Sequence, residues 1–214
     1  MMTNATNSTR QTILDTAQLI VSRKGFSAVG LNEILQAADV PKGSFYHYFH
    51  SKDAFGVVLL DTYFDQYLKG MEQLFQQPGL PWAARLMRYW HTWIDNQTGC
   101  TDAGKCLAVK LGAEVSDLSE PMRLSLQRGT TRTIALLAEA LQHGIQDGSL
   151  AVQQHPESLA RRLYALWLGT SVMSKITRTS APFDEALLLT RQLLGCPELL
   201  MHTPTETIDR GTGK

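Results

Sequence analysis

Apolar residues in this chain recur every three to four positions, and no stretch of useful length alternates with period two. That rhythm predicts helices rather than strands. The first helix is expected from Ser8, where Ser8 and Gln11 have the spacing of a capping box and Ile13, Ala17, Ile20 and Val21 follow on one face. Gly25, after Lys24, supplies a left-handed stop. Leu31, Ile34, Leu35 and Ala38 mark a second, short helix. Pro41 ends it, because the residue before a proline is driven out of helical geometry. A third short segment, 42–48, comes next. Ser51 is placed to cap a fourth helix with Phe55, Val58, Leu59, Thr62 and Tyr63 inward.

After a turn at Gln76, Gln77, Pro78 and Gly79, the periodicity predicts helices over 81–98, 103–115, 120–146, 156–177 and 183–194. Proline near the start of several suits the first turn, where its missing amide costs nothing. Asp147-Gly148 and Gly195 read as stops, and 202–214, rich in Thr and Gly without periodicity, is expected to be disordered. The fold class is therefore all-α, with a three-helix head over 1–52, a larger helical body over 53–200 and a tail over 201–214.

The head has the makings of a helix-turn-helix: two short helices, a tight connection, and polar and aromatic residues on the second. A helix entering the major groove needs small or polar groups outward, and Lys42, Gly43, Ser44, Tyr46, His47 and Tyr48 provide them. Free amides and the dipole at the start of that helix also favour phosphates. The zero net charge of the chain argues the other way until its distribution is read. Residues 1–52 carry five basic side chains (Arg10, Arg23, Lys24, Lys42, Lys52) against three acidic ones (Asp15, Glu33, Asp39), a net of +2 that leaves −2 for the rest.

Residues 25–55, GFSAVGLNEILQAADVPKGSFYHYFHSKDAF, resemble the DNA-binding signature of the tetracycline-repressor (TetR) family. Tyr46, Phe49 and Lys52 satisfy its Tyr-x-x-Phe-x-x-Lys run, and Val40, Gly43 and Phe45 fit the preceding positions. The resemblance implies a transcriptional repressor that acts as a homodimer on a palindromic double-stranded operator and is released by a small-molecule inducer. Lys42, Ser44 and His47 then fall to base edges, Tyr46, Tyr48 and Lys52 to phosphates, and Asn32 to backbone or base. Phe45 and Phe49 are expected to anchor the helix in the head's core.

In the body, Leu163, Leu166 and Trp167, with Leu187, Arg191 and Leu194, form apolar stripes on the last two helices. The resemblance makes them the dimer seam, while periodicity alone fits packing inside one subunit equally well. Tyr63, Trp90 and Trp93 are candidates for an inducer pocket, although aromatic residues at helical spacing are more often core.

Residues 104–123, GKCLAVKLGAEVSDLSEPMR, draw a second comparison, with the electrophile- and oxidant-responsive N-ethylmaleimide reductase repressor branch of the same family. It implies that Cys106 is a reactive thiol with Lys175 as its neighbour. Cys106 follows Gly104 and Lys105 at a helix start, where amides stabilise a thiolate. The alternative is a buried cysteine acting as a small hydrophobe. The other two cysteines, Cys100 and Cys196, give no disulfide framework.

Neither a catalytic motif nor a metal-ligand set emerges, so no enzyme, cofactor or metal is expected. Two rivals to the repressor remain, a helical ligand-binding or adaptor protein without DNA binding and a thiol-dependent enzyme pairing Cys106 with His91. No apolar run approaches the roughly 18–20 residues of a membrane span, and residues 1–9 lack the apolar stretch of a secretion signal, so a cytoplasmic protein without a membrane partner is expected.

Overall fold

The computed structural model describes residues 2–99 and 106–195, with side chains from Thr9 onward. These residues form nine helices and no strand. In chain order they are α1 (Met2–Lys24), α2 (Leu31–Ala37), α3 (Lys42–Tyr48), α4 (Lys52–Phe75), α5 (Trp82–Thr98), α6 (Leu107–Leu118), α7 (Glu120–Gln146), α8 (Pro156–Thr177) and α9 (Ala181–Leu194). Cys100, Lys105, Cys196 and the segment 201–214 lie outside the described residues.

The stop signals work as read. Gly25 takes φ +90°, Gly148 +74° and Gly195 +63°, and Asp39 adopts a left-handed φ of 53° that its short side chain tolerates. The Ser51 hydroxyl accepts from the Ala54 amide at 3.0 Å and caps α4, a bond worth about 1 kcal/mol. The start of α1 differs. The helix begins at Met2, so Ser8 lies inside it, and Gln11 donates to Asp15 at 2.7 Å. Nothing between 2 and 8 is proline or glycine, so the spacing of a cap sits inside a helix that has no reason to stop. On α4, Val58 and Thr62 are half-buried, and Leu60 and Phe64 join Phe55, Leu59 and Tyr63 in the core.

Helix α4 runs out of the head and lies along α7, which packs in turn on α8. Gly129 on α7 makes the approach possible, since a Cβ there would stand 2.1 Å from the Phe64 ring. Gly56 does the same nearer the head, where Phe26 and Met122 fill the space a Cβ would take. Outside, Asp61 meets Ser125 and Arg128, and Asp65 meets Arg132 at 2.7 Å. These exposed pairs fix register more than stability.

At the far end of the body Trp90 and Trp167 stack with ring centres 4.6 Å apart and planes 12° apart, both fully buried. Trp93 donates to Ser171 at 2.9 Å and Trp167 to Thr190 at 3.1 Å, tying α5 to α8 and α8 to α9. This corrects part of the expected dimer seam: Leu163, Trp167 and Leu194 are buried inside the subunit and have no surface to offer a partner. Leu166, Leu187 and Arg191 are half-buried. The outer side of α8 and α9 instead shows Val172, Met173, Ile176, Leu188 and Leu189, five of the nine large exposed hydrophobic side chains among the described residues.

Candidate nucleic-acid interface and effector cavity

Helix α3 is held by aromatic packing. Phe45 and Phe49 are buried, their rings 5.1 Å apart, and Phe55 at the start of α4 lies 4.9 Å from Phe49. Each buried phenyl ring contributes roughly 2–3 kcal/mol. With that face fixed, Lys42, Gly43, Tyr46 and His47 point to solvent, and Ser44 and Tyr48 flank them half-buried. Tyr46 is 55% exposed, unusual for so large a ring in a folded head. No atom lies within 4 Å of where a Cβ would stand on Gly43, so nothing inside the protein requires glycine there. Asn32 is exposed on the first turn of α2. Lys52 is half-buried, its ammonium 5.0 Å from the centre of the Phe26 ring, a cation–π partner that sequence spacing did not foresee.

The body contains a cavity of about 200 Å³ between α4, α5 and Cys106. Tyr67, Met71 and Leu74 line it from α4, and Tyr89, Trp93 and Gln97 from α5. The Tyr67 and Tyr89 hydroxyls bond each other at 2.6 Å, and Tyr63 stacks on Tyr67. The Gln97 carbonyl oxygen is buried and has no hydrogen-bond partner among the described residues. Of the three predicted pocket residues only Trp93 lines the cavity. Trp90 belongs to the tryptophan stack, and Tyr63 stands by the sulfur. Tyr89 and Gln97 were missed, although 66, 67, 70, 71 and 74 on α4, and 89, 92, 93, 96 and 97 on α5, each trace one helical face.

Cys106 is the N-cap residue of α6, 5% exposed, and its side chain borders the cavity. Burial pushes its thiol up. The Tyr63 hydroxyl, the Val109 and Ala108 amides and the Lys175 charge pull it down without prevailing. The helix-start amides are thus where the sequence placed them, but the desolvated site keeps the sulfur protonated more than a free thiol. Lys175, on α8, is exposed. Burial likewise raises Tyr63, Tyr67, Tyr89 and Tyr164, so this wall stays neutral.

Residues 13–55 match the family described as bacterial regulatory proteins, tetR family, and residues 83–189 match the tetracyclin repressor-like C-terminal domain. The chain is 38% identical over 189 residues to the HTH-type transcriptional repressor NemR of Escherichia coli K12, covering 88% of this chain and 95% of that one. It is 29% identical over 185 residues to the HTH-type transcriptional repressor DhaR of Mycobacterium sp. strain GP1, covering 86% and 91%. The crystal structure of E. coli NemR in its reduced form superposes with a TM-score of 0.83 at 39% identity, over 89% of this chain and 98% of that one.

Proposed function

Since the chain belongs to the TetR family and is a DNA-binding transcriptional repressor of that type, we propose that it acts as a symmetric dimer whose two α3 helices read a palindromic operator, and that modification of Cys106 by electrophiles or oxidants releases it. The single observation behind the first part is the outer face of α3, where Lys42, Gly43, Tyr46 and His47 stand together in solvent over an aromatic floor. Lys42, Ser44 and His47 are assigned to base edges, Tyr46, Tyr48 and Lys52 to phosphates, and Asn32 to either. Gly43 lets the helix backbone come close to the groove. Residues 1–52 serve as the DNA-binding unit and 53–200 as the effector and dimerisation unit.

One head reads too little sequence for specificity, and a twofold pair doubles it. The seam is assigned to the outer stripe of α8 and α9, with Val172, Ile176, Leu188 and Leu189 at its centre and Leu166, Leu187 and Arg191 beside them. Gly169, on the exposed side of α8 with nothing within 4 Å of its missing Cβ, permits close helix approach there.

The effector is small and enters the cavity beside Cys106. An electron-poor alkene adds there: a carbon–sulfur bond forms, the alkene π bond breaks, and the thiol proton ends on the neighbouring carbon. A hypochlorite-like oxidant would instead carry the sulfur to a sulfenic acid with loss of chloride. Lys175 eases either step by favouring the thiolate. The thiol-enzyme alternative finds less support: His91 is exposed, Cys106 is buried, and the side-chain bond to the sulfur comes from Tyr63. The test is a gel shift on the promoter region of the protein's own gene, with and without N-ethylmaleimide, for the parent and Cys106→Ser. Release of the parent and retention of the variant are expected. Equal release of both defeats the sensor assignment, and no shift of any duplex at low salt defeats the DNA reading.

A further inference from the structure

Helix α6 begins at the cavity wall with Cys106 and, two turns on, carries Glu114, which reaches the head. Its carboxylate accepts from the Ser27 amide at 2.6 Å and from the Phe26 amide at 3.2 Å. Both amides belong to the turn that follows α1, just past its glycine stop. The carboxylate lies flat against that turn, since a Cβ on Gly25 would stand 2.8 Å from Oε2. Burial pushes this carboxyl up, but the Ser27 and Phe26 groups and the Lys110 charge outweigh it and hold it below the ordinary carboxylate range.

The same turn has a second hold on the body. The Phe26 ring occupies the slot that Gly56 leaves beside Met122. A ring in a slot is held by contact with no preferred direction, whereas two bonds to one carboxylate fix both distance and direction. Asp53 and Ser119 add a longer contact, 3.3 Å, between the start of α4 and the start of α7.

We propose that Glu114 is a positioning residue that sets the angle at which the DNA-reading head is carried, by locking the turn after α1 to the helix that starts at the cavity. Glu114 stands eight positions after Cys106, about 12 Å along α6 at 1.5 Å per residue. A displacement at one end of so short a rod is delivered whole at the other. This transmission rests on the sensor reading of Cys106, whereas the positioning of the resting head does not.

The test uses the full-length dimer with Cys100 and Cys196 replaced by serine, and compares Glu114→Ala and Glu114→Gln with that parent. Glu114→Ala should bind the operator fragment about tenfold more weakly with an unchanged salt slope, because Glu114 touches no phosphate. Amide hydrogen exchange should rise in a peptide spanning residues 24–30 and stay level in peptides from α7. Glu114→Gln keeps one acceptor and should fall between. Affinity within twofold of the parent, or unaltered exchange at 24–30, overturns the proposal. If the alanine variant does not fold, the glutamine variant decides by the same two readings.

A second arm treats parent and variant with N-ethylmaleimide until intact mass shows full modification of Cys106. The parent should lose affinity, and Glu114→Ala should bind alike before and after. A loss in the variant as large as the parent's overturns the transmission. A fully modified parent that keeps its affinity sinks the sensor reading instead, and the first arm still judges the resting position.

Discussion

The face of α3 and the wall around Cys106 dispose of their polar groups in opposite ways. On α3, Lys42, Tyr46 and His47 stand in solvent and wait for a partner that arrives as a surface. Around Cys106 the Tyr67 and Tyr89 hydroxyls bond each other, burial raises the thiol, and the buried Gln97 carbonyl oxygen has no partner among the described residues. A groove-reading helix must be ready before its partner comes, so its rigidity is stored beneath it, in Phe45, Phe49 and Phe55. A cavity that takes a small effector, as proposed for the space of about 200 Å³ beside Cys106, must instead be able to change as it fills.

The strongest way to break this comparison is at neither site. Gly169→Arg places its Cβ in open space on the exposed side of α8 and should leave the fold intact while separating the dimer. Operator affinity should then drop by about two orders of magnitude or more, since paired half-sites gain that much from linkage. Sedimentation and anisotropy read the two effects, and a dimeric Gly169→Arg would remove α8 from the seam. Next, Tyr46→Ala with His47→Ala should weaken operator binding about 30-fold or more, since two contacts at roughly 1–3 kcal/mol each sum to about 2 kcal/mol at the least, with the melting temperature held within a few degrees because both side chains are exposed.

The chamber makes the opposite prediction. Burial raises the Cys106 thiol, so its alkylation rate should still climb with pH above about 8.5, the ordinary thiol value. A plateau near neutrality, measured by stopped-flow alkylation, contradicts a thiol raised by burial. A smaller effect belongs to Gly43→Ala. With open space at its Cβ, it should stabilise the head by about 0.5–1 kcal/mol and yet bind DNA several-fold more weakly, a pairing of signs that a purely structural glycine cannot give. Lys52→Ala is the mildest, lowering the salt slope by about one unit if the ammonium leaves Phe26 for a phosphate.

Legibility followed the range of the interactions involved. Helix α3 was readable to the residue because Pro41, Gly43, Phe45 and Ser51 act within a few positions of one another, and α7 and α8 were readable because prolines and Asp147-Gly148 bracket them. The start of α1 was not, since a capping pattern costs a helix interior little and only the absence of a breaker decides. The cavity was half legible: periodicity offers two helical faces, but which faces meet is a long-range fact, and so Trp90 was read as lining while Tyr89 and Gln97 were passed over. The stripes on α8 and α9 are broad enough that sequence cannot say which half turns inward, and Trp167 and Leu194 turned inward. Glu114 carried no local signal, because its partners are amides 87 and 88 residues away.

All four tryptophans, Trp82, Trp90, Trp93 and Trp167, belong to α5 and α8, and the head has none. Tryptophan emission, excited at the red edge where tyrosine no longer absorbs, is therefore a report from one compartment alone. A ligand entering beside Trp93 alters it directly, whereas a duplex seated on α3 reaches no indole. Any change in that tryptophan emission on operator binding has to have crossed from one region to the other, which makes it, with no label attached, a meter of the traffic between them.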